Sequence, residues 1–290
     1  MKLRVENLTK RYNNGVLALD HVSLSIEKGM FGLLGPNGAG KSTLMRTLAT
    51  LQDADEGEAF LGNIDMLKDK MAVRKILGYL PQEFGVYPRA SATDLLNYLS
   101  MLKGYNNSGE RKNLVNYLLE KVNLYEHRNK SVSSFSGGMR QRFGIAQCLI
   151  GKPELIIVDE PTAGLDPGER NRFYNILSEI SENIVIILST HIVQDVRELC
   201  NNMAIMNQGQ VLFSGKTDDA LKLLKGKVWE RKVDKVSLPD FKERFKIISS
   251  KLVAGQPLIH VFSEEKPAPD FERAEENLED VFFARINQLI

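Results

Sequence analysis

Cysteine is scarce in this sequence, long apolar runs are absent, and the charges nearly cancel. Cys148 and Cys200 are the two cysteines, too few for a disulfide framework, and each lies in a helical pattern as a small apolar residue, which fits a reducing compartment. The 38 Lys and Arg residues face 37 Asp and Glu, a formal net charge of +1, so no basic field favours nucleic acid as a partner. Apolar runs such as 184–188 fall far short of the roughly 20 residues that cross a bilayer. The chain itself is therefore not expected to span a membrane.

Internal repeats, low-complexity tracts and sustained heptads are also missing. What remains is an ordinary folded composition, 290 residues with 43% hydrophobic. At about 150 residues per domain, this length predicts one large domain or two modest ones.

Apolar residues follow two different periods along the chain. Alternation in the first 65 residues predicts half-buried strands, whereas continuously apolar runs predict strands of a parallel sheet covered on both faces. The predicted strands are 3–5, 16–26, 30–34, 58–64, 155–158 and 184–188. Helical stripes lie between them, among them one of Leu44, Met45, Leu48 and Leu51 and one of Leu95, Leu96, Leu99 and Leu102. Strands that alternate with helices around glycine turns predict an α/β sheet.

The pattern changes after about residue 215. Short strands are predicted at 227–233, 246–253 and 257–262, followed by a stiff connector at 266–269 and a closing helix at 278–290. We interpret residues 216–290 as a small α+β appendage.

A glycine-rich segment follows the apolar run 30–34 and precedes a helix. Gly35-x-x-x-x-Gly40-Lys41-Ser42 has the spacing of a phosphate-binding loop in the strand–loop–helix context that this loop requires. Glycines allow backbone N–H groups to surround phosphates, Lys41 can neutralise their charge, and the Ser42 hydroxyl can bind Mg²⁺. The predicted phosphate-binding residues are Gly35, Pro36, Asn37, Gly38, Ala39, Gly40, Lys41, Ser42 and Thr43.

Two further segments carry candidate chemistry. The strand 155–158 runs into Asp159 and Glu160, of which the first can hold Mg²⁺ and the second can polarise an attacking water. Ser136, Gly137 and Gly138 precede a helical pattern, so Ser136 is a plausible N-cap and the glycines would expose backbone donors to an anion.

The order of these motifs resembles the nucleotide-binding subunit of ATP-binding cassette (ABC) transporters, over residues 1 to about 215. Phe135-Ser136-Gly137-Gly138-Met139-Arg140-Gln141 resembles the signature sequence of that family. The resemblance implies a role for four more residues: Tyr12 against adenine, Gln82 as a sensor of Mg²⁺ and of the transport partner, Asp166 in the loop that links two protomers, and His191 as the switch histidine at the γ-phosphate. It also implies catalytic roles for Lys41, Glu160 and His191 and metal contacts for Ser42, Gln82 and Asp159.

The family's architecture supplies further expectations. It implies a RecA-like P-loop NTPase core with an N-terminal antiparallel β subdomain and a helical signature subdomain at about 88–150, all within an ATPase domain of residues 1–215. The expected ligands are ATP and Mg²⁺. One chain would hold half of each ATP site and a second ATP-binding subunit, identical or related, would complete it. A separate integral membrane permease would hold the chain at the cytoplasmic face of the membrane.

Departures from the usual signature indicate a branch of the family. Phe135 and Met139 replace a leucine and a glutamine, a variant that resembles antibiotic, drug and lipid exporters, as does Asn277-Leu278-Glu279-Asp280-Val281-Phe282-Phe283. We also expect the apolar residues Phe84, Val86 and Tyr87 to line a groove for a cytoplasmic helix of the permease. The alternative is that they pack beneath the helical subdomain.

Other functions are less well matched. A soluble ABC ATPase of cofactor assembly, DNA repair or translation is the main alternative. Its chromosome-type members need long coiled coils, and its translation-type members usually carry two cassettes in tandem. A small P-loop GTPase or kinase is a further alternative. A GTPase would read guanine with Asn-Lys-x-Asp, whereas Asn129-Lys130-Ser131-Val132 lacks the aspartate, and neither class explains the Ser136 motif together with His191. His21, His127 and His260 have no candidate partners in the sequence, so we interpret them as structural.

Overall fold

The computed structural model describes residues 1–82, 84–85 and 89–290, and this part of the chain contains three β-sheets and ten α-helices. The strands are β1 (Lys2–Arg11), β2 (Leu17–Glu27), β3 (Gly29–Leu34), β4 (Glu56–Leu61), β5 (Ile64–Asp65), β6 (Leu77–Leu80), β7 (Leu155–Asp159), β8 (Val185–Thr190), β9 (Asn202–Asn207), β10 (Gln210–Lys216), β11 (Val228–Lys232), β12 (Ile247–Val253), β13 (Gln256–Phe262) and β14 (Glu272–Arg273). The helices are α1 (Lys41–Leu48), α2 (Lys70–Ile76), α3 (Ala92–Leu102), α4 (Ser108–Lys121), α5 (Gly137–Cys148), α6 (Pro167–Ser181), α7 (Val193–Leu199), α8 (Thr217–Lys222), α9 (Leu238–Arg244) and α10 (Leu278–Ile286).

The first sheet is antiparallel, with strand order β2-β1-β4-β5. Buried and exposed residues alternate over 3–5 of β1 and 22–26 of β2, as predicted, but the alternation is lost where the register of the two strands shifts, and Leu8 and Thr9 are both buried. The single strand predicted over 58–64 is wrong. The chain turns at Gly62, whose φ is +59°, and β5 pairs back on β4 with Ile64 opposite Leu61. A glycine within an apolar run marked this turn.

The second sheet has strand order β10-β9-β3-β8-β7-β6 and is parallel except for the edge strand β10. Every residue of β7 and β8 is buried, as their continuously apolar sequences predicted. Ile156 and Val158 belong to one hydrophobic cluster, whereas Leu155 and Ile157 belong to another. Because side chains alternate across a strand, the two clusters cover opposite faces of the sheet. The predicted α/β fold is confirmed.

Two residues of the predicted helical stripes do not lie in the core. Leu51 is 61% exposed because α1 ends at Leu48 and Thr50 adopts a φ of +61°. Leu102 is 67% exposed at the last residue of α3, beyond the part of the helix in which Leu95 and Leu96 are buried. Helical periodicity alone did not show where either helix ends.

The two cysteines behave as small apolar residues, as predicted. Both are free and buried. Burial raises the pKa of the Cys148 thiol to about 12, with a small opposing effect of Lys103. Burial also raises the pKa of the Cys200 thiol well above its usual value.

The C-terminal region forms a third, antiparallel sheet with strand order β12-β13-β11-β14. Its small core is built around Phe271. The final helix α10 packs on β12 of this sheet and also on α7, α8, β9 and β10, and Leu278, Val281 and Phe282 share a hydrophobic cluster with the large sheet. The helix also ends at Ile286, four residues before the predicted end. The division into domains at 215/216 stays a prediction, since β10 extends across it and the hydrophobic cluster is continuous.

The segment 277–283 has a clear structural role. Asn277 caps α10 by accepting a hydrogen bond from the Asp280 N–H at 2.9 Å, and its own amide donates to Asp280 Oδ2 at 2.8 Å. Asp280 Oδ1 lies 2.8 Å from His260 Nδ1, and His260 Nε2 lies 3.4 Å from Glu230. The hydrogen bond to Asp280 raises the pKa of His260 above its ordinary value of 6.5, although burial and Lys251 oppose the shift. His260 thus ties β13 to α10, in keeping with the structural role predicted for it.

The pair of His260 and Asp280 predicts a pH-dependent contribution to stability. Since the folded pKa of His260 is raised, the stabilisation is fully present below the unfolded pKa and is lost as the pH rises through the folded value. We expect Asp280→Asn to lower the melting temperature more at about pH 5.5 than at about pH 9. Thermal unfolding at the two pH values measures this, with Asp219→Asn, which breaks an exposed pair with Lys222, as the control. An equal loss at both pH values would contradict the prediction.

Candidate functional site

Four neighbouring strands of the large sheet end at one edge of the sheet. The loop 35–40 follows β3, His191 follows β8, Glu160 follows β7, and Gln82 comes two residues after β6. The register holds them together, with Leu34 opposite Thr190 and Asp159 opposite Ser189. Ligands of open α/β sheets bind at this carboxyl edge.

A cavity of about 630 Å³ opens at this edge. Predicted site residues that line it are Tyr12, Asn37, Gly38, Ala39, Gly40, Lys41, Ser42, Thr43, Gln82 and Glu160. Val16, Leu17, Ala18 and Gln208 also line it and were not predicted. Gln208 lies in the turn between β9 and β10, and only the pairing of β9 with β3 brings this turn to the cavity. The hairpin residues 16–18 directly follow the turn at 13–15, which was the available signal.

The loop 35–40 requires glycine at two positions. A Cβ on Gly35 would lie 2.5 Å from the Met206 carbonyl oxygen, so the adjacent strand β9 leaves no room for a side chain. Gly40 has a φ of +101° and packs directly against the Ala18 carbonyl. These restraints bring the loop backbone to the start of α1, where free N–H groups and the helix dipole favour an anion.

Lys41 is buried beneath this loop and is 4% exposed. Its ammonium donates to the Gly35 carbonyl at 2.7 Å and to the Pro36 carbonyl at 3.1 Å, and lies 3.7 Å from Glu160 Oε1. Burial lowers the pKa of Lys41, while the charges of Glu160 and Asp159 oppose that shift. A buried cation held mainly by neutral carbonyls is electrostatically matched to an incoming anion.

Glu160 is surrounded by three polar side chains. Besides Lys41, His191 Nδ1 lies 3.2 Å from Glu160 Oε2, and Gln82 Nε2 donates to the same oxygen at 3.4 Å. The backbone of Glu160 has a φ of +46° and its N–H donates to the Ser189 carbonyl at 2.9 Å. Residues other than glycine that adopt a left-handed backbone conformation occur preferentially at functional sites. Adjacent strands and this backbone conformation direct the carboxylate toward the cavity.

Asp159, the last residue of β7, is 5% exposed. Its Oδ1 is buried without a hydrogen-bond partner, which is unusual for a carboxylate oxygen. The unused acceptor fits a ligand of a hard cation, together with the Ser42 hydroxyl on the cavity wall. Among the described ranges 1–82, 84–85 and 89–290, no group of three or more His, Cys, Asp or Glu side chains could hold a metal by itself. Residues of this site therefore fit Mg²⁺ that takes its other ligands from phosphate and water.

Tyr12 lies at the rim of the cavity and is 36% exposed. Its hydroxyl lies 3.2 Å from Thr43 Oγ1 and donates to Gln52 Oε1 at 3.2 Å. The ring is thus fixed beside the start of α1 with a large part of its surface available to a planar ligand.

The signature segment does not contribute to this cavity, since Ser136, Gly137 and Gly138 are absent from the described residues that line it. Ser136 caps α5 by accepting from the Met139 N–H at 3.2 Å, and Asp166 caps α6 by accepting from the Glu169 N–H at 2.9 Å. The N-cap at Ser136 agrees with the sequence analysis.

The carboxylate of Glu169 joins α6 to the signature helix. It lies against Gly138, where a side chain would overlap it, and 3.3 Å from Arg142 of α5. The signature helix is thereby fixed to the helix that follows Asp166.

The proposed groove for a partner helix is only partly within the described residues. Phe84 is half-buried, and a Cβ on Gly144 of α5 would lie 3.1 Å from its ring. This contact favours the alternative, in which Phe84 packs beneath the helical subdomain. Val86 and Tyr87 lie outside the described residues.

Over residues 1–82, 84–85 and 89–290, the helices are all too short or too polar for a bilayer. Within the described part of the chain, none combines the length and the apolar character needed to cross a bilayer.

Comparison with known proteins gives one consistent result. Residues 19–163 match the family described as ABC transporter. The linearmycin resistance ATP-binding protein LnrL of Bacillus subtilis is 35% identical over 226 residues, which cover 77% of this chain and 72% of that protein. NatA of Bacillus subtilis, an ABC transporter ATP-binding protein, is 36% identical over 203 residues, 69% of this chain and 82% of that protein.

A solved structure has the same fold. The dimeric ATP-binding cassette MJ0796 in a post-hydrolysis state, bound to ADP and Pi, superposes with a TM-score of 0.67 at 26% identity, covering 74% of this chain and 98% of that one. The predicted P-loop NTPase fold is therefore confirmed. By its sequence and its fold, this chain belongs to the ABC transporter family, as an ATP-binding protein related to drug-resistance members.

Proposed function

We propose that the chain binds and hydrolyses ATP as one subunit of a cassette dimer, and that this cycle drives a separate membrane permease, as an exporter. The observation that carries the proposal is the position of Glu160 at the mouth of the 630 Å³ cavity, within 3.7 Å of Lys41 and 3.2 Å of His191. A carboxylate, a buried ammonium and an imidazole at a phosphate-binding loop are the groups that phosphoryl transfer to water requires.

Binding of the triphosphate begins with the loop. The backbone N–H groups of residues 35–43 and the Lys41 ammonium would contact the phosphates, and Lys41 would exchange the Gly35 and Pro36 carbonyls for phosphate oxygens. The Tyr12 ring would stack on adenine at the rim, beside Thr43.

Ser42, Asp159 and Gln82 would hold Mg²⁺. Asp159 offers the unpaired Oδ1, Ser42 its hydroxyl, and the amide of Gln82 reaches the same region through its contact with Glu160. When bound there, Mg²⁺ would neutralise the negative charge of the phosphate oxygens.

Glu160 is the general base of this proposal. Its Oε2 would accept a hydrogen bond from the attacking water and orient it toward the γ-phosphorus. His191 contacts the same oxygen and would move its donor to the γ-phosphate when the nucleotide arrives. No covalent intermediate is required, because phosphoryl transfer depends on positioning and on charge stabilisation.

The second half of each site would come from another subunit. The capped start of α5, with Ser136, Gly137 and Gly138, offers backbone donors that the cavity of the same chain does not use. The related MJ0796 cassette forms a dimer with bound nucleotide. Two such chains would each place this segment over the γ-phosphate of the other, with Asp166 at the junction, so ATP would join them and hydrolysis would release them.

Coupling to transport rests on the relatives. LnrL carries the description linearmycin resistance, which favours export as the direction. A permease would hold the chain at the cytoplasmic face of the membrane, and no nucleic-acid partner is expected for a chain of net charge +1. The transported compound would be selected by that permease.

Co-purification and ATPase measurements test this proposal together. We expect the tagged chain, isolated from detergent-solubilised cells, to bring down a single integral membrane protein and to hydrolyse Mg·ATP faster in that complex than alone. The same isolation from a strain that carries the untagged chain is the control, and membrane proteins recovered equally from both strains are discounted. Recovery with soluble partners only would favour the alternative, an ABC ATPase of cofactor assembly, DNA repair or translation.

A further inference from the structure

Asp195 is a fully buried carboxylate that the proposed chemistry does not use. It lies in α7 and has no exposed surface. Among the described residues no Lys, Arg or His forms an ion pair with it. Burying such a group is costly unless its oxygens are fully satisfied.

Three hydroxyl groups satisfy it. Thr162 Oγ1 donates to Asp195 Oδ2 at 2.5 Å, and Thr190 Oγ1 donates to the same oxygen at 2.9 Å. The Tyr174 hydroxyl donates to Oδ1. Burial, followed by this hydrogen bond, raises the pKa of Tyr174 well above its usual value. Hydrogen bonds to a charged acceptor in a dry interior are among the stronger ones in a protein.

The donors come from the segments that carry the candidate catalytic groups. Thr190 directly precedes His191, and its Oγ1 also accepts from the Ile192 N–H at 2.9 Å, so the backbone is held on both sides of the histidine. Thr162 lies two residues after Glu160. Tyr174 belongs to α6, the helix that Asp166 caps.

We propose that Asp195 is a positioning residue: by accepting from Thr162 and Thr190 with a single oxygen, it fixes the segment of Glu160 relative to the segment of His191. The inference rests on the proposed function for its catalytic consequence, although the geometry that it explains is independent of that function. Without this link, β7 and β8 still pair, but the loops beyond their ends lose the restraint that holds His191 Nδ1 3.2 Å from Glu160.

A pair of variants at Thr190 tests the link directly. Thr190→Val keeps the shape of the buried side chain and removes the hydroxyl, whereas Thr190→Ser keeps the hydroxyl. We expect Thr190→Val and Asp195→Asn to lower the kcat of ATP hydrolysis by about tenfold or more, since small misplacements of reacting groups have effects of this order. The Kd of ATP should change by less than about twofold, because neither residue lines the cavity. Thr190→Ser should retain the wild-type kcat.

A second readout separates positioning from a general loss of structure. In a His191→Ala background, Thr190→Val should cause no further loss of kcat if it acts through His191, whereas a structural defect would add its own loss. The ¹H–¹³C ring signals of His191, assigned with His191→Ala, should be displaced or broadened in Thr190→Val and Asp195→Asn but not in Thr190→Ser. The signals of His21 serve as the internal reference.

The possible outcomes are distinguishable. If wild-type chain neither binds nor hydrolyses ATP, the proposed function fails, and the ring signals of His191 still decide whether Asp195 positions it. If Thr190→Val turns over ATP like Thr190→Ser and leaves the His191 signals unchanged, the inference is overturned. Additive losses in the His191→Ala background would also overturn it.

Discussion

Glu160→Gln is expected to abolish ATP hydrolysis and to trap an ATP-bound dimer. Glutamine has nearly the shape of glutamate, so the packing against Gln82 and His191 is kept, but the amide cannot accept a proton from water. The lost general base should lower kcat by at least about 100-fold. Binding of the triphosphate depends on the loop and on Lys41, so it should persist, and the two subunits should remain joined because the step that separates them is blocked.

Gel filtration in saturating Mg·ATP, combined with light scattering, measures the trapped state. We expect Glu160→Gln to elute as a dimer with ATP and as a monomer after the nucleotide is removed. Glu179→Gln is a matched control. It also replaces a glutamate by a glutamine, but Glu179 lies on α6, where it pairs with Lys121 at the surface. A Glu160→Gln chain that stays monomeric with ATP would argue against the shared site. Retained hydrolysis would argue against Glu160 as the base.

The parts of the site that the sequence predicted well are those whose geometry is set by neighbours along the chain. The loop 35–40 needs particular residues at fixed spacing because its backbone encloses a small space, and its residues Asn37, Gly38, Ala39 and Gly40 line one cavity. The carboxyl ends of β7 and β8 were predictable for a similar reason. Continuously apolar strands belong to the middle of a parallel sheet, and polar residues that follow them must meet at one edge.

Features that depend on distant parts of the chain were not predictable. Asp195 looks like any helical acid four residues after His191, and only the packing of α7 against β8 and α6 reveals three hydroxyl partners. Gln208 reaches the cavity through the turn between β9 and β10. The helix α10 joins the core through Phe282 although its sequence neighbours form a separate sheet. In each case the position of the residue is decided by tertiary contacts, which leave no local period in the sequence.

The largest loss of binding is expected from Lys41→Ala. The Lys41 ammonium is buried beneath the loop, 3.7 Å from Glu160, and the charges of Glu160 and Asp159 both act on it. Without Lys41, no ammonium charge would offset the repulsion between the phosphates of ATP and these two carboxylates. A water molecule in place of the side chain supplies no charge. We expect the Kd of ATP to rise by about 100-fold or more, the effect of losing a charge-assisted contact of at least 2.7 kcal/mol by the usual conversion.

Equilibrium binding of a fluorescent ATP analogue measures this loss, and a second variant makes the result specific. Lys41 also donates to the Gly35 and Pro36 carbonyls, so Lys41→Ala removes two hydrogen bonds and a buried chain of methylene groups from beneath the loop. Lys41→Met restores much of that packing without the charge. If the ammonium acts on the phosphates, both variants should bind equally weakly, while Lys41→Met should recover part of any lost melting temperature. Micromolar affinity in either variant would contradict the role of Lys41. Recovery of affinity by Lys41→Met would show that the side chain supports the loop by packing rather than by charge.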